Sequence, residues 1–331
     1  MKIKIAVLGA GSWGTALALL LARNNHQVHL WARDPILIAD MRNNHCNERY
    51  LPGVPFDGSI VLHDDLAECL QATQEWVLAV PSHAFAELLD KIAVLSLEVR
   101  PLLWATKGLE PQHGSFFHEL IAKKLGEGWQ AALLSGPSFA KEVALGLPTA
   151  VVVAAATSSV ASFWAQRFHN PHFRVYVSLD LIGVQLGAVL KNIFAVATGI
   201  AEGLGYGANA KAALMTRGLA ELLRLGQALG ASADTLVGLA GCGDMILTCT
   251  DNQSRNRRFG LALGRGLTVD EAIKQIGQVI EAVHNTQQVM LWAIRTGIEL
   301  PIVEQVALIL SGEVTPQAAA HALFARKPKV E

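Results

Sequence analysis

The residue of this sequence best suited to acid–base chemistry is Lys191, the one charged residue of the apolar stretch 181–201. A buried ammonium group is costly unless it is paired or used. Burial also lowers its pKa toward the range in which proton transfer is efficient near neutral pH. The alternative is a lysine whose amino group reaches solvent or a carboxylate. We favour the first interpretation and predict that Lys191 is a general acid or base.

Two groups of polar residues follow later in the chain. Asp244 and Thr248 are four residues apart, so on a helix they would share one face. Ser254, Arg255 and Asn256 stand in an arginine-rich run. A guanidinium offers paired N–H donors to a phosphate, and serine and asparagine can complete the shell. The run therefore predicts a phosphate clamp, with a solvated basic face as the alternative.

Two segments place candidate residues directly after predicted strands. Lys107 follows the apolar strand 102–105, while Gly136 and Ser138 follow the strand 131–134. Ligands of doubly wound sheets bind beyond the carboxyl ends of the strands, so both segments are candidate site segments. A surface lysine and an ordinary turn of the chain are the alternatives.

A G-x-G-x-x-G pattern, formed by Gly9, Gly11 and Gly14, stands between an apolar strand (3–8) and an alanine- and leucine-rich helix (15–23). The first glycine permits the tight turn, the second lets the backbone approach a pyrophosphate, and the third allows close packing of helix on strand. The helix N-terminus then offers N–H groups to the phosphates. The pattern predicts a dinucleotide site.

The residues after the next strand (27–31) bear on the choice of cofactor. An NAD-selective site usually has an acidic residue here, whereas this chain has Ala32 followed by Arg33. A guanidinium suits a 2′-phosphate, so we expect NADPH to be accepted at least as well as NADH. In the alternative, Arg33 is a solvated loop charge and Asp34 caps the next helix, with Pro35 at its first position.

The order of elements divides the chain in two. Strands alternate with helices up to residue 180, which predicts a Rossmann-type α/β domain over residues 1–180. Strand signals then disappear and helix follows helix, which predicts an all-helical domain over residues 181–331. The stretch 181–201 is apolar nearly all round, as a buried helix is. Residues 51–55 are expected to form a rigid loop.

Composition excludes several functions. The chain has 331 residues and a formal net charge of −1, which gives no reason to expect nucleic acid or an anionic membrane as partner. Its four cysteines form no C-x-x-C pair and no cluster with histidine at metal-ligand spacing. We therefore expect reduced thiols, no bound metal and a cytoplasmic location.

Two apolar stretches superficially resemble membrane signals. Cleavage of residues 1–22 as a signal peptide would remove the glycine turn, so we reject that interpretation. The stretch 181–201 carries its lysine at the centre, where insertion into a bilayer costs roughly 2.5–3.5 kcal/mol. We expect no membrane-spanning segment.

A set of motifs in the order GAGSWGTALA, LWARDP, WATKGLE, LSGPSFAKE, LKNIFAVATGI, GCGD and NQSRNRRFG resembles the bacterial NAD(P)-dependent glycerol-3-phosphate dehydrogenases. The resemblance extends over nearly the whole chain. It implies a Rossmann-type domain, a helical domain like that of 6-phosphogluconate dehydrogenase, and an active site in the cleft between them. It also implies a homodimer that reduces dihydroxyacetone phosphate to sn-glycerol 3-phosphate for glycerophospholipid synthesis.

The resemblance also implies residue roles. Lys191 would be the general acid/base. Because negative charge develops on the carbonyl oxygen during the reduction, Lys107 would help hold that oxygen. Asp244 would keep Lys191 positioned and charged, and Thr248 could hydrogen-bond nearby. Beside the three glycines of the turn, the implied cofactor contacts are Ser12, Trp13, Arg33, Lys107, Ala140, Arg255, Val279 and Glu281. The implied substrate contacts are Lys107, Gly136, Ser138, Lys191, Asp244, Ser254, Arg255 and Asn256.

Two alternative functions are compatible with parts of this sequence. Other two-domain β-hydroxyacid dehydrogenases, of the 6-phosphogluconate or 3-hydroxyisobutyrate type, typically have asparagine one turn after the lysine. Here Asn192 is adjacent to the lysine and Ala195 occupies that later position, which argues against them. A non-catalytic NAD(P)H sensor would not need the lysine, the aspartate and a phosphate clamp together.

Overall fold

The computed structural model describes residues 2–56, 58–95 and 98–326, and the chain forms two compact units. The first unit runs to Glu110 and continues from Ser115 to Leu181. The second contains the short segment Pro111–Gly114 and the chain from Ile182 onward.

The first unit is built on a large, mostly parallel sheet. The strands in chain order are β1 (Lys4–Leu8), β2 (Gln27–Trp31), β3 (Cys46–Asn47), β4 (Leu51–Pro55), β5 (Ile60–His63), β6 (Glu75–Leu78), β7 (Leu102–Trp104), β8 (Ala131–Ser135), β9 (Thr149–Ala155) and β10 (Phe173–Ser178). Eight of them form one sheet in the order β10-β9-β8-β7-β6-β1-β2-β5. Every adjacent pair in it is parallel except β8 and β9. The predicted Rossmann-type fold is confirmed.

Helices of the first unit connect these strands. They are α1 (Ser12–Arg23), α2 (Pro35–Asn44), α3 (Leu66–Gln71), α4 (Ser82–Val94), α5 (Phe117–Leu125), α6 (Ala140–Leu145) and α7 (Ser158–Phe168). Parallel strands covered by helices are apolar along their whole length. In the central strands Val7 pairs in register with Leu30 on one side and with Val77 on the other, and all three are fully buried.

The prediction of a rigid loop over residues 51–55 was wrong. These residues form β4, which pairs antiparallel with β3. The buried side chain of Asn47 fastens this hairpin to the glycine turn, because its Nδ2 donates to the carbonyl of Ala10 (2.9 Å) and to Thr15 Oγ1 (2.8 Å). A proline- and glycine-containing segment can thus be a strand where a tertiary partner is available.

The second unit is helical, as predicted. Its helices are α8 (Leu181–Gly203), α9 (Ala208–Ala228), α10 (Ala233–Val237), α11 (Asp244–Thr250), α12 (Arg255–Gly264), α13 (Val269–Ile276), α14 (Glu281–Thr296), α15 (Pro301–Leu310) and α16 (Pro316–Phe324), with a π-helical turn at Leu239–Gly243. By length and composition α8 could cross a membrane, but 83% of its most apolar window is buried inside the protein. It is the core helix of this unit.

Helices α8 and α12 pack with their backbones in contact. A Cβ atom added to Gly199 of α8 would lie 2.1 Å from the carbonyl oxygen of Arg257, and one added to Gly260 of α12 would lie 2.1 Å from that of Val196. Side chains at these positions would force the helices apart, so glycine is required for this close approach. The two helices therefore hold a fixed register.

Candidate active site

The glycine turn of the first unit has the geometry of a phosphate-binding loop. Gly9 has φ +116°, and a Cβ atom added to Gly14 would lie 1.8 Å from the carbonyl oxygen of Gly9. At Gly11 an added Cβ atom would meet no atom of the described residues within 4 Å, so space is open beside the backbone. Gly11 is also the N-cap of α1 and has no side chain to cover the first N–H groups. The turn can admit an anion.

The two residues after Gly11 differ in their hydrogen bonding. Ser12 Oγ donates to the carbonyl of Tyr50 (2.7 Å). The indole Nε1 of Trp13 is buried and has no hydrogen-bond partner within the part of the chain that the structure describes. Buried donors are nearly always paired in folded proteins. The open space and this unpaired donor fit a bound dinucleotide.

Arg33 follows β2 on the surface. Its side chain is 72% exposed, and its Nη1 lies 3.9 Å from the carboxylate of Glu87. An exposed pair at this distance contributes little, so it does not fix the guanidinium. Asp34 caps α2 by accepting from the Ile36 N–H (3.0 Å), and Pro35 is the first helical residue. The expected cap is therefore present, and Arg33 is a solvated side chain in this structure.

Lys107, Gly136 and Ser138 lie together beyond the carboxyl ends of β7 and β8. The carbonyl of Gly136 accepts from Lys107 Nζ (3.2 Å) and from Ser138 Oγ (2.9 Å). Gly136 has φ +129°, and a Cβ atom there would lie 3.1 Å from the Cα atom of Val151. The glycine thus lets the loop bring the half-buried ammonium group to this carbonyl. Ala140, the first residue of α6, is half-buried.

In the second unit, Lys191 forms a buried ion pair with Asp244. Lys191 Nζ lies 2.5 Å from Asp244 Oδ1, and the two side chains are 7% and 1% exposed. Thr248 Oγ1 donates to the carbonyl of Asp244 (2.6 Å) and lies 3.4 Å from its Oδ1. The lysine thus does reach a carboxylate, as the structural alternative held. A buried ion pair is a weak source of stability, however, because desolvation offsets its attraction.

A chain of two amides connects the lysine helix to α12 and α14. Asn256 Nδ2 donates to Asn192 Oδ1 (2.9 Å), and Asn256 Oδ1 accepts from the Ala282 N–H (3.2 Å). Asn192 Nδ2 in turn donates to the carbonyl of Ala188 (3.3 Å). Asn192 was not among the predicted site residues. Its position next to Lys191 was visible, but its bond to an asparagine on another helix was not.

The predicted clamp residues lie together at the start of α12. Ser254 is the N-cap and accepts from the Arg257 N–H (3.2 Å), while the exposed Arg255 donates to Gln278 Oε1 (3.3 Å). This bond brings Arg255 to the segment before α14, which contains the half-buried Val279 and ends at Glu281, the first residue of that helix.

The predicted residues therefore form two sets, one in each unit. Those of the first unit are Gly9, Gly11, Ser12, Trp13, Gly14, Arg33, Lys107, Gly136, Ser138 and Ala140. Those of the second are Lys191, Asp244, Thr248, Ser254, Arg255, Asn256, Val279 and Glu281. The first set has the features of a dinucleotide site, and the second combines a buried lysine with a helix N-terminus suited to an anion.

Comparison with protein families matches both parts of the chain. The N-terminal model of NAD-dependent glycerol-3-phosphate dehydrogenase matches residues 4–161, and the C-terminal model matches residues 180–321. The chain belongs to the NAD-dependent glycerol-3-phosphate dehydrogenase family. This confirms the predicted oxidoreductase class and the nicotinamide cofactor, and it sets aside the two alternative functions. The roles of individual residues stay predictions.

Individual relatives of this dehydrogenase family cover nearly the whole chain. The NAD(P)+ glycerol-3-phosphate dehydrogenase of Thioalkalivibrio sulfidiphilus is 50% identical over 99% of this chain and 98% of its own. The enzyme of the same name from Legionella pneumophila strain Paris is 50% identical over 100% of this chain and 99% of its own. The crystal structure of glycerol-3-phosphate dehydrogenase from Coxiella burnetii superposes with a TM-score of 0.94 at 46% identity, covering 98% of this chain and 99% of that one.

Proposed function

We propose that this protein reduces dihydroxyacetone phosphate to sn-glycerol 3-phosphate with NADPH or NADH, and so supplies the backbone for glycerophospholipid synthesis. Family membership supports the reaction, because oxidation of glycerol 3-phosphate at its secondary alcohol gives this ketone. The observation that carries the assignment to residues is the buried pair of Lys191 and Asp244, on the same unit as a helix N-terminus flanked by arginine. A phosphorylated ketone needs a proton donor and a phosphate anchor, and this unit offers both.

The phosphate anchor in this proposal is the first turn of α12. The N–H groups of that turn and the positive end of the helix dipole attract an anion. Arg255 is exposed beside them and can present two parallel N–H donors. The Ser254 hydroxyl orders the turn by capping the Arg257 N–H, and Asn256 fixes its position through the amide chain. Binding at the phosphate would then orient the carbonyl for reaction.

The proton donor is Lys191. When bound, the reduced nicotinamide supplies a hydride to the ketone carbon. Negative charge develops on the carbonyl oxygen during this reduction and must be stabilised and protonated. Asp244 favours the charged form of the lysine by its own charge, and Thr248 holds the aspartate in place. In this proposal the ammonium group of Lys191 gives its proton to the oxygen.

Lys107 is proposed to hold the same oxygen electrostatically. The Gly136 carbonyl accepts from its ammonium group, and Ser138 Oγ donates to the same carbonyl. A preorganised charge costs little reorganisation when negative charge develops on the substrate.

The cofactor is proposed to lie on the glycine turn, with its phosphates at the N-terminus of α1. The indole of Trp13, which has no hydrogen-bond partner among the described residues, is proposed as one of its contacts. Arg33 would bind the 2′-phosphate of NADPH and make NADPH the preferred reductant. Ala140, Arg255, Val279 and Glu281 complete the proposed cofactor contacts.

The test of the reaction follows nicotinamide absorbance with purified protein, dihydroxyacetone phosphate and each reduced cofactor in turn. We expect oxidation of both cofactors, faster with NADPH at equal low concentration, and formation of sn-glycerol 3-phosphate. The absence of turnover with either cofactor would overturn the proposal. Parallel assays with 6-phosphogluconate and 3-hydroxyisobutyrate in the oxidising direction should give no reaction.

We further propose a cytoplasmic homodimer. All four cysteines are free, as is usual for proteins of the cytoplasm. A cavity of about 670 Å³ opens on the second unit and is lined mainly by apolar residues, including Ile200, Leu214, Ile302, Val306, Leu323 and Phe324. Phe324, one of the lining residues, is 72% exposed. Large exposed apolar patches mark association surfaces, and we assign this one to a second copy of the chain.

A further inference from the structure

Glu202, in the last turn of α8, is held by cations from two other helices. Its Oε2 lies 2.5 Å from Arg257 Nη2 of α12 and 3.1 Å from Lys211 Nζ of α9. The Arg257 side chain is only 5% exposed, and its Nη1 also donates to Asn252 Oδ1 (2.5 Å). The carboxylate of Glu202 is the acidic partner of this buried guanidinium.

This carboxylate stays ionised near neutral pH. Partial burial acts to raise the pKa of Glu202, but hydrogen bonds from Lys211 and Arg257, together with their positive charges, outweigh it and hold the pKa below its usual value. A buried guanidinium with a charged, hydrogen-bonded partner has a defined position, whereas one without it is strongly destabilised.

Arg257 is also part of the first turn of α12. Its backbone N–H donates a hydrogen bond to Ser254 Oγ. Because Glu202 fixes the guanidinium of Arg257, it also constrains the turn that Ser254 and Arg255 begin. The carboxylate thus acts on the proposed phosphate anchor without contacting the substrate itself.

Two polar links therefore connect α8 to α12. One is the Asn192–Asn256 hydrogen bond next to Lys191, and the other is the Glu202–Arg257 pair. At a rise of about 1.5 Å per residue, Asn192 and Glu202 are about 15 Å apart along α8. On α12 the two links start from neighbouring residues, Asn256 and Arg257, so both act on the first turn of that helix. They fix the distance between the lysine and the start of α12.

We propose that Glu202 is a positioning residue for the phosphate end of the substrate. Through Arg257 it holds the first turn of α12 at the distance from Lys191 that suits a three-carbon ketone with a terminal phosphate. This inference rests on the proposed function, since it assigns the phosphate to that turn. It predicts that loss of the carboxylate impairs recognition of the phosphate more than proton transfer.

The test compares Glu202→Gln with the wild-type protein on two ketones, dihydroxyacetone phosphate and unphosphorylated dihydroxyacetone. We expect KM for the phosphorylated ketone to rise about tenfold with kcat within about twofold. The kcat/KM for dihydroxyacetone should stay unchanged. Titration calorimetry with sn-glycerol 3-phosphate should show a matching loss of affinity, which is independent of turnover.

The matched control is Glu299→Gln. Glu299 also pairs with an arginine of the second unit, Arg326 (3.1 Å), but this pair is exposed and involves neither α8 nor α12. The control should leave both ketones unaffected. If Glu202→Gln does not fold, Glu202→Asp keeps the charge and withdraws it by one methylene group. A smaller rise in the same KM is then expected.

The outcomes separate this inference from the proposed function. If the wild-type protein does not reduce dihydroxyacetone phosphate, the proposed function itself fails. If it does, but Glu202→Gln leaves KM and the affinity for glycerol phosphate unchanged, the positioning role is refuted. An equal loss on both ketones would also refute it, because that result indicates general damage to the unit.

Discussion

At the scale of single residues, the Lys191–Asp244 pair has the strongest consequence. Lys191→Ala removes the proposed proton donor, and general acid catalysis contributes roughly 10²–10⁴-fold to rate. We expect kcat for dihydroxyacetone phosphate to fall by at least about 100-fold. The affinity for NADPH, measured by fluorescence titration, should change little.

The same substitution leaves Asp244 buried without its cation, so the melting temperature of the variant must be measured as well. Asp244→Asn combined with Lys191→Ala removes both charges and serves as the control for this strain. A folded Lys191→Ala protein that keeps most of its kcat would disprove the acid role.

Arg33 is the residue proposed to select NADPH over NADH. Its side chain is largely exposed and only loosely paired with Glu87. Arg33→Asp replaces a cation suited to a 2′-phosphate with an anion that repels it. We expect the ratio of kcat/KM for NADPH to that for NADH to fall by at least about tenfold, since a charged hydrogen bond is lost. Glu87→Gln is the control, and an unaltered ratio in Arg33→Asp would argue against the contact.

The phosphate clamp can be tested with neighbouring arginines. Arg255→Ala should raise KM for dihydroxyacetone phosphate by about 10–100-fold, the effect of losing a hydrogen bond to a charged group. Arg258 is exposed on the same helix, and Arg258→Ala is the matched control. Both variants are also assayed with unphosphorylated dihydroxyacetone. Equal effects of Arg255→Ala on the two ketones would exclude a phosphate contact.

Sequence patterns pointed to the proposed reactive residues, but not to the contacts proposed to position them. Lys191 stood out because a charge within an apolar helix is rare, and Thr248 was placed on the face of Asp244 by helical spacing. The position of Asn192 beside Lys191 was visible, but nothing in the sequence indicated what Asn192 or Glu202 contacts. Their partners, Asn256 and Arg257, are distant in sequence, and no local periodicity encodes a contact between two helices.

At the scale of elements, the backbone contact of α8 and α12 is directly testable. Gly260→Ala would place a methyl group 2.1 Å from the carbonyl oxygen of Val196. The expected cost of such overpacking is about 1–3 kcal/mol, larger than the gain in helix propensity. We expect a lower denaturation midpoint and a higher KM for dihydroxyacetone phosphate.

The control for this substitution is Gly128→Ala, because a Cβ atom there would meet no described atom within 4 Å. It should leave both measurements within error. A Gly260→Ala protein as stable as wild type would show that the two helices can separate without cost.

Strands and helices with strong periodicity were predicted well, and segments that depend on a partner were not. The second strand was expected at residues 27–31 and is Gln27–Trp31. Leu51–Pro55 was expected to be a loop because proline and glycine disfavour strands. Its pairing with Cys46–Asn47 overrides that preference.

At the scale of the whole molecule, the surface proposed for self-association can be removed. Phe324→Asp places a carboxylate among the apolar residues that line the cavity. Burying this charge against a second copy of the chain would be costly. We expect the mass measured by light scattering to fall from that of a dimer to that of a monomer. Ile36→Asp is the control, since Ile36 is 78% exposed on the first unit. A wild-type monomer would refute the assignment.

One acid gives the folded molecule a pH dependence. Burial raises the pKa of Glu221 to about 7, although the N–H groups of Ile302 and Val303 act against the rise. The folded-state pKa of Glu221 lies above its unfolded-state pKa of 4.5. Its contribution to folding stability is therefore fully present below pH 4.5 and is lost as the pH rises toward about 7.

The shift from 4.5 to about 7 corresponds to a loss of up to about 3 kcal/mol across that range. Glu221→Gln cannot ionise, so its free energy of unfolding should lack this part of the pH dependence. Urea unfolding of both proteins between pH 4.5 and 8 is the measurement. Parallel curves for the two would show that Glu221 does not titrate there.

The close backbone approach of α8 and α12 at Gly199 and Gly260 limits how the substrate range could evolve. Where side chains separate two helices, small substitutions can change the distance between the helices stepwise. Where the two backbones are in contact, that distance cannot decrease. A ketone with a longer chain between its carbonyl and its phosphate would therefore have to be accommodated by new side chains at Arg255 and its neighbours. The glycines thus fix the distance between the two helices.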